Sequence, residues 1–127
     1  MTAENILKLI KEKEIDYVDL RFTDVRGKLQ HMTQDISTID ADFLNEGTFF
    51  DGSSIAGWKA INESDMILKP DLTRTFVDPF TSHNTLVIFC DIMDPIKKDY
   101  YERDPRSIAK KAEAYLKTTG IGDTIYF

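Results

Sequence analysis

The sequence predicts an α+β fold: a β-rich N-terminal domain over residues 1–95, followed over residues 96–127 by a linker and the first helix and strand of a second domain. Three observations lead there. Val18, Leu20 and Phe22 alternate with Asp19, Arg21 and Thr23, the period of a half-buried strand. Residues 85–93 form a nearly continuous apolar run with branched side chains, as a covered central strand does. Asp104 followed by Pro105 is an N-cap with proline at the first helical position, a strong helix start.

The elements follow in order. Ile6, Leu7 and Ile10 recur at helical spacing among Lys8, Lys11, Glu12 and Lys13, predicting a short amphipathic helix. The strand at residues 17–23 then meets the turn formers Asp24-Val25-Arg26-Gly27 and a second strand at 28–33, which makes a hairpin. Ser37 is placed to cap a brief helix through Phe43 and Leu44, with Gly47 ending it in a left-handed conformation. Residues 71–77 read as a short strand, and 85–93 complete a small sheet. The polar stretch 94–103 reads as a linker. The helix from Asp104 carries Ile108, Ala109, Ala112 and Leu116 on one face and stops at Gly120. Residues 121–127 read as the opening of a further strand, cut mid-element.

Composition narrows the function classes. Sixteen basic against twenty-two acidic residues give a net charge of -6, which argues against binding a phosphate backbone. The longest purely apolar run, residues 86–90, is far too short to span a bilayer. The single Cys90 forms no internal disulfide, and residues 1–7 lack the basic and apolar regions of a signal peptide, so a cytoplasmic location is expected. No phosphate loop, dinucleotide fingerprint, zinc-spaced His/Cys cluster or serine nucleophile elbow is present. His31 and His83 stand in no motif and are read as surface or packing residues. Cys90 is read as a small buried hydrophobe.

Chemistry concentrates in residues 49–66, FFDGSSIAGWKAINESDM, where turn formers and polar groups interrupt the periodic elements. Asp51 lies between two aromatics and a Gly-Ser-Ser turn, where desolvation and hydroxyl donors can tune a carboxylate; its ordinary alternative is an Asx turn. Trp58 can be core, but Gly57 and Lys59 beside it favour an exposed aromatic anchor at an interface. Glu63 and Asp65 add negative charge, by pattern more often a solvated face than a cation site. Asn62-Glu63-Ser64 matches a glycosylation acceptor by chance.

The stretch from Phe49 to Trp58, then Asn62-Glu63-Ser64-Asp65-Met66 and Pro70-Asp71, resembles the N-terminal signature of bacterial type I glutamine synthetase. The resemblance extends to the hairpin over 18–32, to Asp91-Ile92 before Pro95 and to Asp104-Pro105-Arg106, so it covers essentially the whole chain. It implies a β-grasp N-terminal domain over 1–95 and the start of a truncated catalytic domain over 96–127. The family is a glutamate-ammonia ligase: ATP phosphorylates the glutamate side chain and ammonia displaces phosphate, giving glutamine. Its Mg2+ or Mn2+ and ATP are held by a catalytic domain whose metal-binding Glu-x-Glu comes shortly after the segment resembling 122–127. No metal ligand or bound cofactor is therefore expected in this chain, which alone is expected to be inactive.

The resemblance also assigns the loop. The aspartate matching Asp51 reaches into the neighbouring subunit's active site, binds ammonium and assists its deprotonation. Ser53 and Ser54 then supply hydroxyls, Asp65 adds field, and Trp58 packs the loop against the neighbour. The implied partners are ammonium, glutamate, ATP and neighbouring subunits in a homododecamer of two stacked hexamers, with no nucleic acid and no membrane. The rival expectation is a stand-alone β-grasp binding module that engages a protein partner through Trp58 and catalyses nothing.

Overall fold

The computed structural model of the chain describes residues 1–58 and 65–126. Helix α1 (Ala3–Glu12) opens with Thr2, whose hydroxyl accepts the Asn5 amide at 3.3 Å, and buries Ala3, Ile6 and Ile10 along one stripe. Strands β1 (Tyr17–Thr23) and β2 (Leu29–Asp35) form the expected hairpin, β2 lying slightly later than predicted. Asp24 builds the turn: its carboxylate accepts the amides of Arg26 and Lys28, each at 2.9 Å, and the Gln30 side chain at 3.0 Å.

Helix α2 (Ala41–Glu46) is capped by Asp40, whose Oδ1 accepts the Phe43 amide at 2.7 Å. Ser37, the cap expected from sequence, instead lies inside a single 3-10 turn (Ile36–Thr38) capped by Asp35. The carboxylate immediately preceding the helix wins because only that position faces the orphan amides of the first turn. Gly47 ends α2 with φ of 86°. The chain continues through β3 (Thr48–Asp51), β4 (Asp65–Val77), β5 (Thr85–Asp94), β6 (Asp99–Tyr100) and α3 (Pro105–Thr118).

The sheet runs β2-β1-β5-β4-β3, with β6 also on β5. β1 and β5 are parallel, and every other pairing is antiparallel. β5 is buried along nearly its whole length, as its apolar run predicts. The core joins Ile6 and Ile10 of α1 and Leu44 of α2 to Val18, Leu20, Leu68, Leu86 and Ile88 of the sheet. Cys90 sits in this core as a packing residue. On the face away from α1, β1 carries a polar cluster: buried Asp19 accepts from Arg21 Nε at 2.8 Å and Thr33 Oγ1 at 3.0 Å, with His31 Nδ1 at 2.8 Å. His83 rests edge-on against Tyr17, while the exposed His31 is held by the Asp19 carboxylate.

Four expectations are corrected. The strand expected at 71–77 is the second half of β4, which begins at Asp65; its register shifts between Pro70 and Thr75. Proline has no amide to give the ladder, so the regular pairing breaks beside it. The supposed linker at 94–103 is docked on the sheet: β6 pairs with β5, and the Tyr101 amide donates to the Ile92 carbonyl at 2.8 Å. The apolar face of α3 is largely uncovered, with Ile108 57% exposed and Ser107 its buried residue, because the helix is held mainly by ion pairs from its first turns rather than by packing. Residues 121–126 are irregular and exposed rather than a strand; an extended segment needs a ladder, and none of the described strands pairs with it.

Those ion pairs join α3 to the sheet. Arg106 donates to Asp71 at 2.6 Å and Asp91 at 3.1 Å, and Lys110 reaches Asp91 at 2.6 Å. Burial works to raise the Asp71 pKa, but hydrogen bonds from Thr73 and the Arg106 charge hold it below the usual carboxylate range. Asp104, the α3 cap, is fully buried and accepts the Ile92 amide at 3.2 Å; burial outweighs its hydrogen bonds and pushes its carboxyl up.

Candidate functional site

The loop singled out from the sequence is the end of a hairpin. β3 and β4 pair antiparallel with Thr48 opposite Leu68, Phe49 opposite Ile67, Phe50 opposite Met66 and Asp51 opposite Asp65. The two aspartates thus flank the neck of the loop. Residues directly opposite in an antiparallel pair share a face, so two carboxylates meet where like charges are unfavourable without a compensating cation or donor. The resemblance placed Asp65 beside Asp51 in one site; the strand pairing sets the two directly opposite each other.

Asp51 also caps the 3-10 turn Gly52–Ser54. Its Oδ1 accepts the Ser53 amide at 2.9 Å and the Ser53 hydroxyl at 2.6 Å. The Asx turn weighed as its ordinary alternative is therefore formed, and Ser53 is spent on holding that turn. Asp51 remains exposed, and with Ser54, Phe50 and Ile55 it borders a cavity of about 300 Å3 that extends to Gln30 and Met32 on β2.

Trp58 departs from expectation. It is 6% exposed, not an outward anchor, and its ring packs against Phe22 at 5.7 Å, Phe50 at 6.3 Å and Tyr101 at 5.4 Å between centroids. Aromatic rings at these separations prefer tilted and edge-to-face contacts, and a large apolar ring gains more in this cluster than in water. Its indole Nε1 is buried without an acceptor among the described residues. Lys59, Glu63 and the Asn62-Glu63-Ser64 match lie outside the described residues.

Sequence reading missed what holds the loop from behind. Arg103 Nη1 donates to the Gly57 carbonyl at 2.9 Å and, more weakly, to the Trp58 carbonyl at 3.4 Å. No local signal marks this contact, because the partners lie 46 and 45 residues apart in the chain. Among the described residues, no three His, Cys, Asp or Glu side chains converge as metal ligands, and no helix is long and apolar enough to cross a membrane.

A mixed sheet with a parallel central pair and helices α1 and α2 packed on its core face is the arrangement of a β-grasp module. The family model described as "Glutamine synthetase, beta-Grasp domain" matches residues 14–95, and the chain belongs to that family. It is 59% identical to glutamine synthetase of Rhizobium meliloti (strain 1021) over 125 residues, covering 98% of this chain and 27% of the relative. It is 54% identical to glutamine synthetase of Escherichia coli (strain K12) over all 127 residues, again 27% of the relative. A Plasmodium falciparum glutamine synthetase structure superposes with a TM-score of 0.85 at 27% identity, covering 97% of this chain and 24% of that one. The chain is thus homologous to the N-terminal part of glutamine synthetase and spans about a quarter of the length of these relatives.

Proposed function

We propose that this chain is the N-terminal part of a glutamate-ammonia ligase and lends its Asp51 loop to an ammonium site completed by a neighbouring subunit. The pairing of the exposed Asp51 and Asp65 at the neck of the loop carries the reading. Two opposed carboxylates in a site that sheds water attract a small cation strongly, and a carboxylate there accepts a proton as ammonium becomes the ammonia nucleophile. Asp51 is the proton-accepting group, Asp65 supplies field, and Ser53 keeps Asp51 in one orientation through its two hydrogen bonds. Ser54, exposed beside the same cavity, offers a hydroxyl to the ligand. Trp58 roots the loop in its own chain, so any neighbour meets the outer surface of the loop rather than the indole.

ATP, glutamate and a divalent cation belong, on this reading, to the neighbour's catalytic domain. In the whole ligase, a phosphoryl group on the glutamate side chain is displaced by ammonia; the contribution of this chain is to concentrate ammonium and take its proton. The subunits are expected to assemble as two stacked hexamers.

The test is phosphate release dependent on ATP, glutamate and ammonium, measured for the full-length gene product and for the 127-residue chain. Activity is expected only in the former. There, Asp51→Ala should lower turnover at fixed ammonium by about a hundredfold, the scale of losing one positioned proton acceptor, with ATP binding unchanged. Unaltered ammonium kinetics in that variant would remove Asp51 from the reaction.

A further inference from the structure

The geometry points to Arg103 as the positioning residue of the Asp51 loop, a clamp that fixes Gly57 and Trp58 from the strap between β5 and α3. Its functional consequence rests on the ammonium reading above; the clamp rests on the hydrogen bonds of Arg103 alone. The strap is anchored on both sides of Arg103. Before it, the Tyr101 amide donates to the Ile92 carbonyl at 2.8 Å; after it, buried Asp104 accepts the Ile92 amide at 3.2 Å. Both bonds fall on one residue of the central strand, so Arg103 projects from a fixed base.

The guanidinium crosses to the loop and donates from one nitrogen to the carbonyls of Gly57 and Trp58. Tyr101, from the same strap, closes on the Trp58 ring at 5.4 Å. The start of the loop is held by β3 and by the Asp51 turn; Gly57 and Trp58 are held by Arg103 and Tyr101. Since a misplacement of about 1 Å can cost a hundredfold in an oriented reaction, a residue that touches no substrate can still govern ammonium use.

Two readouts test this. Trp58 is the only tryptophan of the chain, so acrylamide quenching of its fluorescence reports loop closure in the 127-residue protein. Arg103→Ala should raise quenching severalfold, Arg103→Lys should restore part of the protection through its single ammonium donor, and Lys97→Ala, which loses only a 3.8 Å surface pair with Glu102, should change nothing. In the full-length enzyme, Arg103→Ala should raise the KM for ammonium about tenfold, the scale of one charge-assisted hydrogen bond, with the KM values for ATP and glutamate unmoved and Arg103→Lys intermediate. Quenching unchanged in Arg103→Ala would overturn the clamp. Raised quenching with an unchanged ammonium KM, while Asp51→Ala does raise it, would overturn the positioning role and leave the ammonium reading standing. If neither variant alters the ammonium KM, the ammonium reading fails and the functional role of Arg103 fails with it.

Discussion

Gly47 makes the sharpest test of how the acidic loop is carried, because replacing it with alanine loads two separable costs on one residue. Its φ of +86° lies in the left-handed region, where a Cβ costs roughly 1–2 kcal/mol. A Cβ there would also overlap the Leu68 carbonyl oxygen, lie 2.9 Å from the Leu68 carbonyl carbon and lie 3.1 Å from Ile67 Cγ2. Leu68 pairs with Thr48, the first residue of β3, so relieving the overlap must loosen the β3–β4 ladder at about 1 kcal/mol per disturbed hydrogen bond. The expected loss for Gly47→Ala is therefore about 3 kcal/mol, a large part of the 5–15 kcal/mol typical of a domain. Gly27 supplies the internal control: its φ is +83°, but a Cβ there meets nothing within 4 Å. Gly27→Ala should cost only the backbone strain, about 1 kcal/mol. Urea unfolding followed by Trp58 fluorescence and by circular dichroism measures both, and coincident transitions license the comparison. Equal losses in the two variants would refute the close-approach reasoning, since only Gly47 faces the Leu68 carbonyl.

Two further outcomes follow from buried groups. Burial alone would raise the Asp19 pKa, but hydrogen bonds from Arg21, His31 and Thr33 hold it below the usual carboxylate value. A carboxyl depressed in the native state contributes stability above its unfolded pKa and loses it as pH falls through its folded value. Asp19→Asn should therefore cost about 1–3 kcal/mol at pH 6, and the gap to the parent protein should narrow towards pH 3 in urea titrations; a gap constant with pH would show that the charge of Asp19 is not what matters. Cys90 is fully buried and burial pushes its thiol up, so an aromatic disulfide reagent should label it only as fast as the protein opens, with labelling accelerated by urea. Rapid labelling of the native chain would contradict the packing described for β5.

Much of the molecule is local and was legible from neighbouring residues alone. The alternation of Val18, Leu20 and Phe22 gave β1, the apolar run around Ile88 gave β5, and Asp104-Pro105 gave the start of α3, because side-chain period and end-capping act over one or two turns of chain. The same locality marked Asp51: a carboxylate beside Gly-Ser-Ser declares a turn, and the turn is there. Tertiary structure decided the rest. It set Asp65 opposite Asp51, folded Trp58 inward, docked a polar stretch on β5 and brought Arg103 to the loop carbonyls. Each of these depends on contacts between residues far apart in sequence, where a strand's partner and register follow from which faces can be buried together. Trp58 shows the difference most plainly: glycine and lysine neighbours speak for exposure, whereas Phe22, Phe50 and Tyr101, gathered from three other parts of the chain, supply the apolar cavity that takes the ring.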